Sequence, residues 1–377
     1  MNLRRTQAVA RKEFLHILRD ARSLTMALAL PILMILLFGY ALTLDVDRIP
    51  IIVYDASQSP ESRELIAYFQ GSRYFQILGT ASDYRTIEQK IDEDECMLGL
   101  VVPQDYSRDL FSDHEPQIQL LFDGSDSNTA SIALGYANGI VQTAALKIRM
   151  QAQNRMAGGN TSLPVDARLR IWYNSELKSK NYIVPGLIAL ILMIIGALMT
   201  SLTLAREWEM GTMEQLLSTP LRPAEVAVGK MSAYFVLGVI DMLLTIVVGV
   251  GIFQVPQRGS YVFLALTGCL FLIGALFWGI LISALSRSQL VAYQLAMLTS
   301  FLPAFLLSGF VFAIENMPVP IQAVTLLFPT RYFVTILKGI FLRGVGMEVL
   351  CLEVGFLAAY AVLVFVAVVG RLRQKVA

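Results

Sequence analysis

Long apolar segments with almost no charge recur along this chain, and they leave few ways for it to fold. About twenty consecutive apolar residues match the hydrocarbon thickness of a bilayer, where every backbone polar group must be satisfied inside its own segment. Such segments run over Leu24–Leu44, Tyr182–Ala205, Met231–Phe253, Tyr261–Leu285, Leu290–Ile314 and Val349–Gly370. They predict an α-helical membrane protein of about six spans. Composition agrees: 16% of residues are charged and 55% hydrophobic, whereas soluble domains carry about 25% charged residues. Leu24–Leu44 is longer than the roughly 7–15 apolar residues of a signal peptide, and no small-x-small site follows it, so it reads as a retained anchor. Pro31, Pro185, Gly196, Gly274 and Pro303 fall inside spans, where neighbouring helices re-satisfy the backbone.

The basic residues set an orientation. Arg4, Arg5, Arg11, Lys12, Arg19 and Arg22 precede the first span, and Arg371, Arg373 and Lys375 follow the last. Both clusters predict cytoplasmic termini. Lys178, Lys180, Arg331, Lys338 and Arg343 fall on the other side and strain that rule. Residues 1–22 read as an interfacial helix in the headgroup layer. Ala10, Phe14, Ile17, Leu18 and Ala21 share one arc, and Arg5, Lys12, Glu13, His16, Arg19 and Asp20 the other. The bland alternative is an exposed basic tail.

With 23–44 as the first span, residues 45–180 become an extracytoplasmic α/β domain. Strand-like runs are Ile51–Tyr54, Tyr74–Leu78, Met97–Val102, Ile118–Phe122 and Leu169–Tyr173. Ser59-Pro60-Glu61 opens a helix, Asp83–Asp92 suggests another, and Ser127–Asn154 a long one. Its expected inner face is Ala130, Leu134, Ala137, Val141, Ala144 and Ile148. Residues 181–377 form the remaining bundle. Within it, 315–348 is apolar but interrupted by Pro318, Pro320, Pro329 and Gly339, so it reads as short helices re-entering from outside.

The sizeable polar run between spans in this half is Arg206–Lys230, REWEMGTMEQLLSTPLRPAEVAVGK. Thr212 and Gln215 have capping-box spacing, and Met213, Leu216 and Leu217 share a face. Pro220 ends that helix and Pro223 suits the first turn of the next. A short helix between two spans, carrying exposed carboxylates, suits being pushed by a soluble partner. This run resembles the ABC-2 permease signature. Ser308–Gly346 resembles the ABC-2 region before the last span, and Tyr182-Ile-Val-Pro-Gly186 the start of span two. The likeness covers nearly the whole chain and is nearest to bacterial drug-type exporter permeases.

That resemblance implies a six-span ABC-2 bundle that pairs with a second permease chain, as a homodimer or with a paralogue. It also implies an ATP-binding subunit gripping the coupling loop 206–230. Arg206, Glu207, Glu209, Gly211, Thr212, Glu214, Gln215, Leu216 and Pro220 are the expected ATPase-coupling residues. Glu207, Glu209 and Glu214 would meet its Arg or Lys; the competing reading is an ordinary solvated loop. A periplasmic adaptor and an outer-membrane channel are further expected partners.

The chain's own chemistry is sparse. Gly229-Lys230 is followed by Met231 and has Ala224 where a P-loop needs its first glycine, so ATP and magnesium are expected on the partner and no cofactor here. His16 and His114 build neither triad nor metal site. Pro116 excludes an HExxH helix, and Asp123–Asn128 lacks the glycine and glutamate of a calcium loop. Cys96, Cys269 and Cys351 have no zinc or disulfide spacing. A net charge of +1 argues against a nucleic-acid surface. Asp241 lies mid-span and is a candidate for the substrate or ion path, with a buried packing residue as the alternative. Glu353 lies near an interface. Trp172, Tyr173, Tyr182 and Trp208 suit an interfacial belt.

The function these readings favour is export of small hydrophobic or drug-like molecules, driven by ATP hydrolysed on another subunit. A lipid or polysaccharide exporter is the alternative within transport. A membrane receptor is the alternative outside it, disfavoured by the few residues after Gly370. An intramembrane enzyme lacks a visible nucleophile–base pair.

Overall fold

A computed structural model of the chain describes residues 2–41, 48–110, 116–157, 173 and 178–376. It contains two compact units, Leu44–Arg170 and Met1–Thr43 with Ile171–Ala377. His114, Trp172 and the strand expected at Leu169–Tyr173, apart from Tyr173 itself, lie outside the described residues.

The chain opens with helix α1 (Leu3–Arg19), capped by the Asn2 side chain, which accepts from the Arg4 N–H. Its buried stripe is Thr6, Val9, Glu13 and Ile17, spaced three and four apart as one helix face requires. Of the expected apolar arc Ile17 is buried against the bundle, while Phe14 and Leu18 point outward. Fit against a neighbouring helix, not side-chain hydrophobicity, selects the inner face. Helix α2 (Ala21–Ala41) follows and carries Pro31.

In the Leu44–Arg170 unit come β1 (Ile49–Asp55), α3 (Pro60–Gln70), β2 (Phe75–Thr80), α4 (Tyr84–Asp92), β3 (Leu98–Val102), α5 (Tyr106–Leu110), β4 (Gln119–Phe122) and α6 (Ser127–Ala157). The sheet order is β2-β1-β3-β4. β1 is parallel to β2 and β3, and β4 is antiparallel to β3. Alternation explains the layering. Ile49, Ile51 and Val53 meet Leu65 and Phe69 of α3 and Ala133, Ala137 and Ala144 of α6 on one face. Ile52 and Val101 meet Ile87 of α4 on the other. Ser59 and Asp83 cap α3 and α4 through the N–H groups of Ser62 and Thr86. In α6 one place on the expected face differs: Ala133 is buried and Leu134 is 45% exposed, because small side chains let the helix sit close to the sheet. The side chain of Ile148 lies outside the described residues.

The other unit continues with α7 (Ser179–Glu209), α8 (Met213–Leu217), α9 (Pro223–Gly251), α10 (Tyr261–Leu285), α11 (Gln289–Ala296), α12 (Leu302–Leu306), α13 (Val319–Thr325), α14 (Pro329–Lys338) and α15 (Met347–Val376). A π-helical turn at Met297–Phe301 joins α11 to α12. Among the described residues five helices are long and apolar enough to cross a membrane: α7, α9, α10, the α11–α12 run and α15. α13 and α14, with the turn Gly339–Arg343 that extends α14, bend by 86° and are each too short to span alone. α7 is the central helix, with 89% of its apolar window buried. Ser283 of α10 accepts from the N–H groups of Leu204 and Ala205 at 2.9 Å each. The Thr200 hydroxyl donates to the Leu276 carbonyl at 2.9 Å. Such interhelical bonds tie helices where apolar surroundings favour no particular pairing.

Candidate functional site

The foot of α7 is where the polar stretch gathers. α7 ends at Glu209, and Gly211 takes a φ of +70°, which a side chain would strain. That turn places Thr212 already in helical backbone, with no side-chain cap, so the expected capping box with Gln215 does not form. A box-like bond forms at the next helix start instead. Glu225 accepts from the Arg222 N–H at 3.0 Å and from the Asn2 N–H at 2.6 Å. In α8, Met213 is buried against Leu204, Val226 and Phe277, and Leu216 packs beside it. The side chain of Leu217 lies outside the described residues. Glu214, Gln215 and Ser218–Pro220 are exposed. Pro223 stands in the first turn of α9.

The three candidate carboxylates have different fates. Glu207 is buried; its Oε1 accepts from Lys230 and from Lys12, each at 3.0 Å. Lys230, 1% exposed, also donates to Glu13 of α1 at 2.7 Å. Three buried charges from α1, α7 and α9, Glu13, Glu207 and Lys230, thus meet out of solvent, with exposed Lys12 closing the cluster from outside. Glu209 accepts from the backbone N–H and the side-chain amide of Gln289, at 2.7 and 2.5 Å. It so caps the positive end of α11. Glu214 alone of the three has no hydrogen bond or ion pair among the described side chains and faces outward. Arg206 bonds Gln289 Oε1 at 3.4 Å and lies 3.0 Å from His16 Nε2. The Pro220 carbonyl accepts from Arg5.

The Gly-Lys pair rejected as a phosphate loop has another purpose. A Cβ on Gly229 would lie 2.7 Å from Val9 Cβ and 3.1 Å from the Thr6 carbonyl oxygen. Its absence lets α1 pack directly on α9 and brings Glu13 to Lys230. Sequence reasoning missed this cluster, whose members lie far apart in the chain. No local signal marked it, because Glu13 falls on the polar arc of α1.

Asp241 of α9 is 0% exposed, and neither carboxyl oxygen has a hydrogen-bond partner among the described residues. Glu353 is half-buried, with one oxygen likewise unbonded. Trp208 lies under Arg287, 5.4 Å from its ring centroid. Among the described residues no three His, Cys, Asp or Glu side chains are grouped to hold a metal.

Comparison with known proteins matches this arrangement to one family. Residues 22–369 match the ABC-2 family transporter protein profile. The chain is 38% identical over 366 residues to the probable multidrug ABC transporter permease YbhS of Escherichia coli (strain K12), covering 96% of this chain and 95% of that one. It is 31% identical over 345 residues to the probable multidrug ABC transporter permease YbhR of the same organism, covering 92% of each. It is 26% identical over 303 residues to the inner membrane transport permease YhhJ, covering 80% of this chain and 78% of that one. With its spanning helices and the α7–α8–α9 foot, the chain belongs to the ABC-2 family of transporter permeases.

Proposed function

We propose that the chain is the membrane-spanning permease subunit of an exporter that moves small hydrophobic or drug-like molecules out of the cell. The observation that carries this is α8. It is a five-residue helix wedged between the feet of α7 and α9, with Glu214 outward and unpaired. An ATP-binding subunit, holding ATP and magnesium, grips Glu214, Gln215 and Pro220. Arg206, Glu207, Glu209, Gly211, Thr212 and Leu216 act from behind, holding that surface in place. Motion of α8 passes into α7 because they share the Gly211 turn. For nucleotide to drive transport, the ATPase must bind the permease's two states with different affinity. That YbhS and YbhR are named probable multidrug permeases supports the cargo class.

In this reading α2, α7, α9, α10, α11–α12 and α15 are six spans of an inner-membrane protein with cytoplasmic termini. The α/β unit then lies outside, where an adaptor and outer-membrane channel dock. A second permease chain completes the pathway, and Asp241 serves cargo or ions along it.

Two measurements test this. A P-loop ATPase should co-purify stoichiometrically with the tagged chain; its absence would count against the reading. A Glu214→Cys variant should resist an impermeant thiol reagent in intact cells and react in inverted vesicles. Labelling from outside would reverse the topology and remove α8 from the ATPase.

A further inference from the structure

Between α1, α2, α7 and α8 the helices leave a cavity of about 640 Å³. That is within the roughly 300–1,000 Å³ of small-ligand sites. One end is apolar, walled by Leu24, Ala27 and Leu30 of α2 and Leu198, Met199 and Leu202 of α7. The other is polar and includes Lys12, Glu13, His16, Asp20, Arg206 and Glu207.

The charges at the polar end are unevenly answered. Glu13 is met by Lys230, and Glu207 by Lys230 and Lys12. Asp20 is also engaged. Arg206, half-buried, has Gln289 and His16 as its partners and no carboxylate in ion-pair reach among the described residues. A guanidinium so placed is a fork open to an oxyanion. Glu207 Oε2 lacks a hydrogen bond, and with Glu13 and Asp20 also in the lining this favours a cationic head. The two ammonium groups on the same carboxylate outweigh it.

The surroundings select the kind of anion. α1 exposes Arg4, Arg11, Lys12 and Arg19 beside Phe14, Leu15 and Leu18. A helix of that make-up lies in a headgroup layer and gathers anionic lipid around it. The cavity thus has a cation at headgroup level and an apolar slot running along two bilayer helices.

We propose that this cavity seats one anionic phospholipid of the leaflet that α1 lies on, its phosphate on Arg206 and an acyl chain between α2 and α7. Met210, Thr212, Gln215 and Leu216 complete the wall, so the bound lipid also braces α8. The site shares Gln215 with the proposed ATPase contact and lies behind it, but lipid binding can be read without an ATPase present.

The test is lipid binding by the delipidated, detergent-purified full chain, followed by native mass spectrometry. Phosphatidylglycerol and phosphatidylethanolamine are titrated separately, each also against tetraphenylphosphonium as a cationic competitor. Wild type should prefer phosphatidylglycerol. Arg206→Gln should lose roughly tenfold in phosphatidylglycerol affinity, the worth of one charge-assisted pair, and with it the preference. Leu202→Trp, filling the slot, should weaken both lipids. An unchanged preference in Arg206→Gln, or displacement of lipid by the cation, would overturn the proposal. Should Arg206→Gln fail to fold, Leu202→Trp decides: unaltered phosphatidylglycerol binding rejects the site.

Discussion

Lys230 donates to Glu13 across 2.7 Å although 217 positions separate them in the chain. The bond joins α1 to α9, and Glu207 of the central helix shares the same ammonium. Removing one member of a buried ion cluster leaves the others charged and desolvated. Lys230→Met should therefore destabilise the protein by roughly 3–5 kcal/mol. Thermal unfolding of the full chain in detergent measures this. The double variant Glu13→Gln with Lys230→Met should recover part of the loss, because one orphaned carboxylate is gone.

The approach of α1 to α9 depends on a missing side chain. Gly229→Ala places a Cβ 2.7 Å from Val9 Cβ, and overpacking of this kind costs about 1–3 kcal/mol. Proteolysis within α1 should become faster. Val9→Ala in the same chain should restore protection, which a general loss of folding would not allow.

Glu214 is the carboxylate of the stretch with no internal duty. Glu214→Lys should leave thermal stability within about 0.5 kcal/mol of wild type, as for an ordinary surface change. It should weaken ATPase association by roughly tenfold or more if that surface meets Arg or Lys. Pull-down from solubilised membranes reads the second effect. Glu207→Lys would be a poor substitute, since it would add a cation beside Lys230 and Lys12.

Asp241 is enclosed without a hydrogen bond to either oxygen among the described residues. A mid-membrane carboxylate is unfavourable by about 2.5–3.5 kcal/mol on insertion scales, so Asp241→Leu should raise the midpoint of thermal unfolding. If Asp241 serves the pathway, the same change should also abolish export. A more stable chain with normal export would make it a packing residue.

In the α/β unit the Thr86 hydroxyl, and then the Thr86 N–H, hold Asp83 below the ordinary carboxylate range. A depressed folded value means the cap's contribution is present above the unfolded value of about 3.9 and is lost as pH falls through the folded one. Hydrogen exchange of the α4 amides, corrected for intrinsic rate, should lose protection below that point. Asp83→Asn should keep the cap and remove the pH dependence.

What could be read from the sequence follows from the range of the interactions. Ser59 and Asp83 announce their helices because a cap needs only neighbours a few residues away. The β1, β2, β3 and β4 strands are legible because branched side chains alternate between turn residues. The Thr212 cap failed locally: Gly211 had already made the turn the threonine was expected to make. On α6, Ala137, Val141 and Ala144 face the core as expected, but Ala133 takes the place expected for Leu134 because tight packing on a sheet rewards alanine over leucine. The Glu13–Lys230–Glu207 cluster could not be read at all. Glu13 looked like a solvated charge, and Lys230 like a remnant of a phosphate loop, until the fold put them together. The cavity beside Arg206 was hidden for the same reason, its walls coming from distant parts of the chain.

The seating of α1 on Gly229 has a consequence for biogenesis. During synthesis α1 leaves the ribosome long before its berth exists. Its Glu13 must stay hydrated until α9 is made and presents Lys230. A helix made before α9 is thus locked only once α9 is in place, and its docking reports that this later helix has arrived.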